Sequence, residues 1–99
     1  MSHCYTKIEL SDFQDPRHPQ FSVDAVYTAT FRGSEINQRV DLTLDEWQIQ
    51  LWDFFSESWT ETPYNISNLP PGLQLSIQGK VLEKASEKFS RGEVIYDKE

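Results

Sequence analysis

Residues 40–79 contain no lysine, arginine or histidine, while Asp41, Asp45, Glu46, Asp53, Glu57 and Glu61 all fall within them. The nine basic residues lie outside that stretch, where ten acids nearly balance them, so the net charge of −7 is concentrated in the middle of the chain. Such a chain is a poor direct ligand for duplex nucleic acid, whose phosphates call for Lys and Arg. Cysteine is almost absent too. Cys4 stands alone, which excludes an internal disulfide and makes a reducing, cytoplasmic setting the natural expectation. Apolar runs never approach the roughly 18 residues of a membrane helix, and the N-terminus lacks a basic-then-apolar leader pattern, so no membrane association is expected. The four glycines, Gly33, Gly72, Gly79 and Gly92, are isolated, which leaves no glycine-rich phosphate loop.

What is present is apolar mass. Aromatics make up 13% of the 99 residues, enough for one folded domain spanning residues 1–99 rather than a disordered acidic tail. All three tryptophans sit in residues 43–59, TLDEWQIQLWDFFSESW. Here the spacing predicts a helix. Thr43 and Glu46 match a capping box, Leu42 and Trp47 a hydrophobic staple, and Asp45 and Glu46 place negative charge on the first turn. At 100° per residue, Leu44, Trp47, Leu51, Phe54 and Phe55 form one apolar stripe flanked by Trp52 and Trp59. Ile49 points away from that stripe and is expected to be exposed, as are Glu46, Gln50, Asp53 and Glu57.

Around this helix the chain reads mostly as strand. Residues 4–10 form a short strand, and residues 11–20, SDFQDPRHPQ, form a loop because Pro16 and Pro19 oppose regular structure. Residues 21–32 alternate cleanly, with Phe21, Val23, Ala25, Tyr27, Ala29 and Phe31 on one face. Gly33-Ser34 marks a turn, and residues 35–44 return as the second arm of a hairpin. Residues 60–72 hold Pro63, Pro70 and Pro71 and are expected to cross over as a long loop. Leu73, Leu75 and Ile77 alternate like a strand. Beyond Gly79 two readings compete: a hairpin through residues 80–96, which is favoured, or a short helix through Leu82, Ala85 and Phe89 capped by Gly92. The expected fold is α+β: a small antiparallel sheet of about five strands in the order β-β-β-α-β-β, with one amphipathic helix on one face.

Catalytic and metal-binding patterns are weak. His3 and His18 belong to no triad pattern, and pairing either with Cys4 rests on sequence position alone. One Cys and two His fall short of a zinc set, and no cofactor is implied. Asp53 and Glu57, four apart on the expected helix, would sit on a convex face rather than flank a cleft. The chain therefore reads as a non-enzyme that works by contact.

The expected contact surface combines the acids Glu46, Asp53, Glu57 and Glu61 with the aromatic anchors Trp52, Trp59 and Tyr64. It suits a protein partner with a basic surface, such as a nuclease or other nucleic-acid enzyme. By analogy, small phage anti-defence proteins and immunity proteins of nuclease toxins act as classes in this way, as inhibitors that mimic nucleic acid. A non-catalytic structural subunit of a larger assembly is the alternative, its charge then serving only solubility.

Overall fold

The strict alternation of Phe21–Phe31 is where the architecture starts. In the computed structural model, which describes residues 3–33 and 36–96, these side chains are all buried along one face of a long central strand. The elements are β1 (Cys4–Asp15), β2 (His18–Arg32), β3 (Arg39–Asp53), β4 (Ser58–Glu61), a 3-10 turn (Ile66–Asn68), α1 (Pro71–Ser90) and β5 (Ile95–Tyr96). They make one five-stranded antiparallel sheet, ordered β4-β3-β2-β1-β5, with one helix packed on it. The fold is α+β, as expected, but the helix is elsewhere and the element order is β-β-β-β-α-β.

The segment expected to be helical, residues 43–59, is instead most of β3, a hairpin tip and the start of β4. A β-bulge explains the misreading. Tyr27 pairs with Leu44 and Val26 with Glu46, so Asp45 is an extra residue on β3. Val40, Leu42 and Leu44 face the helix side, the bulge shifts the phase by one, and Trp47, Ile49 and Leu51 resume that side. The three-residue step from Leu44 to Trp47 imitates a helical repeat. Cross-strand pairing with β2 from Phe21 to Arg32 decides the matter, and the Thr, Trp and Ile content of the segment suits it. Ile49, expected to be exposed, is 2% exposed and pairs with the fully buried Val23.

The converse error lies at residues 73–96. Leu73 and Ile77 are buried because they belong to an i,i+4 series with Val81 and Ala85, not to a strand. Leu75, which strand alternation would bury with them, is 68% exposed. Pro71 occupies the first helical turn, where its missing N–H costs nothing. At the other end Gly92, at φ 74°, closes a Schellman motif: Glu93 N–H donates to Lys88 O and Gly92 N–H to Phe89 O. The glycine cap weighed for the shorter helix is thus present, on a helix that begins eleven residues before Leu82, at Pro71. The expected turn at Gly33-Ser34 and the start of the strand at Glu35 fall partly outside the described residues; Gly33 itself has φ 99°.

Residues 11–20 are not a loop. β1 runs to Asp15 and β2 starts at His18, with Pro16-Arg17 as the turn, and the irregularity appears as register shifts between Leu10 and Asp15. Asp15 locks this corner to the helix. Its carboxylate accepts Arg17 N–H (3.0 Å) and the Ser76 hydroxyl (2.8 Å), the latter on the second turn of α1. Those donors, the Arg17 N–H foremost, hold the Asp15 pKa down at about 2.

α1 lies over β1 and β2. A 20-residue helix is about 30 Å long, whereas the molecule measures 54 × 23 × 22 Å. The helix therefore covers only part of the sheet. Leu69, Ile66 and Tyr64 from the 62–69 loop extend the core toward β3. At the far edge Lys88 Nζ donates to Lys7 O (2.9 Å) and Lys84 Nζ to Glu9 O (3.4 Å), occupying β1 carbonyls that β5 does not reach.

Two measurements check this frame. Ile77→Ala is expected to cost about 2–5 kcal/mol in denaturant unfolding, and Leu75→Ala to stay within about 0.5 kcal/mol; a strand here would make the two alike. Because the folded pKa of Asp15 is depressed, its stabilisation is complete above the unfolded carboxylate range near pH 4 and is lost as pH falls to about 2. Thermal melting of Asp15→Asn against pH is therefore expected to show lower stability than wild type at neutral pH and convergence with it near pH 2.

Candidate docking surface

One face of the sheet carries the helix; the other is open. Alternation assigns Lys7 and Glu9 of β1, Asp24, Val26 and Thr28 of β2, and Asp41, Thr43, Glu46, Gln48 and Trp52 of β3 to the open face. β4 adds Trp59 and Glu61, opposite Trp52 and Gln50. Charge is sorted along this face. Asp41 is bridged by Arg32 (3.2 Å) and Arg39 (3.5 Å), and Asp45 by Lys7 (3.8 Å) with a hydrogen bond from Thr28. Toward β4 the acids are not neutralised. Among the described residues, no ion pair involves Glu46, Asp53, Glu57 or Glu61. Glu61 instead accepts a hydrogen bond from the Gln48 amide.

β3 and β4 meet in a hairpin whose four-residue tip spans residues 54–57. Asp53 begins it: its Oδ1 accepts Phe55 N–H at 2.9 Å, and that bond, with help from Ser56, lowers the Asp53 pKa, so the carboxylate stays charged. Glu57 ends it in the left-handed region, at φ 50°. Below the tip, Trp52 and Trp59 form an edge-to-face pair with centroids 5.3 Å apart. Above them Phe54 and Phe55 are 77% and 101% exposed. Both phenylalanines belong to the stripe expected to be buried; a hairpin tip has nothing to pack them against.

The expected site residues thus divide. Glu46, Trp52, Trp59 and Glu61 share the open face, and Asp53 and Glu57 flank the adjoining tip. The two acids are not a helical i,i+4 pair but the two ends of one turn. Tyr64 lies apart: its ring packs edge-on against Phe21 (5.8 Å) and its carbonyl accepts the Trp47 indole N–H (3.1 Å), so it closes the core beside the helix. Sequence reasoning missed Phe54 and Phe55 as surface groups. The signal was present in the mirror-like W-D-F-F-S-E-S-W, in which two tryptophans and two turn-forming residues bracket the aromatic pair.

The other chemical candidates separate in space. Cys4 pairs with Phe31 and His18 with Asp15, at opposite ends of the β1–β2 ladder. Burial raises the Cys4 thiol pKa, the reverse of activation. Asp15, His18 and Ser76 do come together, yet Ser76 donates to Asp15 and accepts from Arg17 Nη2 (3.0 Å), and His18 Nδ1 is 3.7 Å from Asp15. The group that accepts the Ser76 hydroxyl is the Asp15 carboxylate, whose pKa is held down at about 2, a far weaker base than nucleophilic activation of a serine calls for. Among the described residues, no three His, Cys, Asp or Glu side chains converge to hold a metal ion, and no helix is long and apolar enough to cross a membrane.

No protein-family model matches the chain, and neither a curated protein nor a solved structure matches it.

The tryptophan pair gives a direct check on the hairpin. A double-mutant cycle of Trp52→Ala and Trp59→Ala, read by denaturant unfolding, is expected to return a coupling of about 0.5–1.5 kcal/mol. Two tryptophans on a helix seven residues apart would be nearly additive.

Proposed function

We propose that this chain is a small acidic protein-binding module that inhibits or modulates its partner, presenting the β3–β4 hairpin and the adjoining open face to a basic site. One observation carries the reading: two adjacent phenylalanines stand in solvent at a hairpin tip between Asp53 and Glu57. Isolated apolar residues on a surface are ordinary, but exposed neighbouring aromatics above a tryptophan pair make a patch of the kind that docks. Phe54 and Phe55 act as anchors that enter an apolar recess. The unneutralised carboxylates of Glu46, Asp53, Glu57 and Glu61 set orientation and on-rate against Lys and Arg. A nucleic-acid enzyme offers both features, a groove lined by basic side chains and stacking surfaces for bases. A carboxylate-and-aromatic hairpin competes there with phosphate and base. No catalytic step is assigned to this chain.

The alternative, a structural subunit of a larger assembly, draws support from a different feature, the incomplete cover of β3 by the helix.

Partner capture at low and high salt separates the two readings, because screening shortens the reach of exposed charge from about 10 Å at 0.1 M to about 3 Å at 1 M. The expected outcome is a nucleic-acid enzyme that is retained at low salt, released at high salt and displaced by duplex DNA. Replacing Phe54 and Phe55 together by Ala is expected to weaken that complex by at least about 2 kcal/mol, while the thermal stability of the free protein stays unchanged. A partner held equally at both salts and by the Phe54→Ala, Phe55→Ala protein would refute the docking surface.

The turn itself supplies a second expectation. Glu57→Gly removes the penalty of a side chain in the left-handed region, so it should stabilise the fold by about 0.5–1 kcal/mol in denaturant unfolding and weaken partner capture by removing one of the tip acids.

A further inference from the structure

We infer that the outer edge of β3 is a self-pairing surface, on which a second copy of this chain docks antiparallel about a two-fold axis at Leu42. β3 runs from Arg39 to Asp53, but β4 pairs only with residues 50–53. Beyond them the 62–65 loop takes over: Thr62 N–H reaches Ile49 O, and the Trp47 indole reaches Tyr64 O. From residue 39 to residue 45, no described strand or loop pairs with the outer edge.

The direction of the free backbone groups follows from the rest of the sheet. Lys7 O and Glu9 O face away from β2, since they accept the helix lysines. Alternation across β1 and β2 then turns the backbone of Thr28 and Thr30 toward β3, and that of their partners Thr43 and Asp41 toward β2. Val40, Leu42 and Leu44 are left with N–H and C=O pointing outward. Ile49 O, on the same face beyond the bulge, also points outward to Thr62, as this phase requires. The side chains of Val40, Leu42 and Leu44 are half-buried on the helix side of the sheet, where α1 lies over β1 and β2 instead.

Charge selects the occupant and the register. A two-fold copy keeps helix-side residues opposite helix-side residues only if the axis passes through a residue. Centred on Asp41, the pairing puts two Asp41 carboxylates face to face. Centred on Thr43, it puts Asp41 against Asp45. Centred on Leu42, it sets Leu42 against Leu42, Val40 against Leu44, Asp41 against Thr43, and Arg39 against Asp45 twice. Of these three registers only the last opposes no like charges directly, and it adds two complementary pairs and about six backbone hydrogen bonds; an axis at Val40, one residue from the strand end, would leave Leu42 and Leu44 without strand partners. Within one chain Arg39, its side chain 75% accessible, already bridges Asp41, and Asp45 bridges Lys7, so the pairing across the axis adds a second opposite charge to each.

The test is sedimentation of the full chain over a concentration series reaching about 1 mM. Wild type is expected to show a monomer–dimer equilibrium. Arg39→Asp alone and Asp45→Arg alone each create like-charge pairs and should weaken self-association at least about tenfold, whereas an equimolar mixture of the two restores dimers, because only the mixed dimer has both pairs complementary. Leu42→Cys gives a readout that leaves every charge in place. Leu42 meets its own counterpart at about 5.5 Å between Cα atoms, within disulfide range, so mild oxidation joins two chains. Thr43→Cys, displaced by two residues from its counterpart, lies beyond the roughly 7 Å limit and should not link. A wild type that stays monomeric throughout would overturn the inference. So would a dimer indifferent to both charge substitutions, or cross-linking as efficient from position 43 as from position 42. None of these residues belongs to the hairpin tip, so the result is independent of partner capture there.

Discussion

Everything in this molecule depends on a mismatch of lengths. Two central strands of fifteen residues are paired almost end to end, and a single helix of twenty residues must cover them. Strand residues advance about 3.3 Å each and helix residues 1.5 Å, so the helix protects little more than half of the ladder it packs on. Leu73, Ile77, Val81 and Ala85 are buried against the helix side of β1 and β2. What remains is covered piecemeal: by the 62–69 loop over Phe21 and Tyr27, by Phe89 against Phe31 (4.7 Å), and by nothing at the β3–β4 tip. Both candidate contact regions, the hairpin tip and the edge of β3, lie where the helix does not reach.

How much of this was legible in the sequence follows from what kind of signal each element carries. β2 was plain because its alternation is unbroken and its strand is central, paired on both sides. The sheet-plus-helix class was legible because several strand patterns accompany a single amphipathic helix, which together make two layers. The location of the helix was not legible, because two local signals pointed the wrong way at once. One bulge residue, Asp45, turned a period of two into an apparent period near 3.6. In α1, three leucine and isoleucine positions two apart imitated a strand. Only pairing with distant partners, β2 in one case and β1 with β2 in the other, decides between these readings, and such contacts leave no trace in a window of local sequence.

The site fared differently from the fold. Six of the seven expected contact residues lie on or beside one surface even though the element expected to carry them does not exist. The reason is that charge segregation is a property of composition over forty residues and survives an error in secondary structure. An acid-rich stretch without cations must face solvent whether it is wound or extended. Tyr64 departs because aromatic content alone does not say which side of a layer a ring will take. Phe54 and Phe55 were lost because burial was inferred from apolarity, a one-way rule that fails at turns.

The two lysines seated on the carbonyls of β1 have a consequence for growth. A sheet with two open edges can add chains indefinitely, whereas here Lys84 and Lys88 stopper one side for much of its length. In the proposed pair, two molecules joined at the β3 margin turn these lysine-capped carbonyls outward in both directions. The helix thus does more than cover a core: its basic flank occupies edge carbonyls that a further strand would otherwise take.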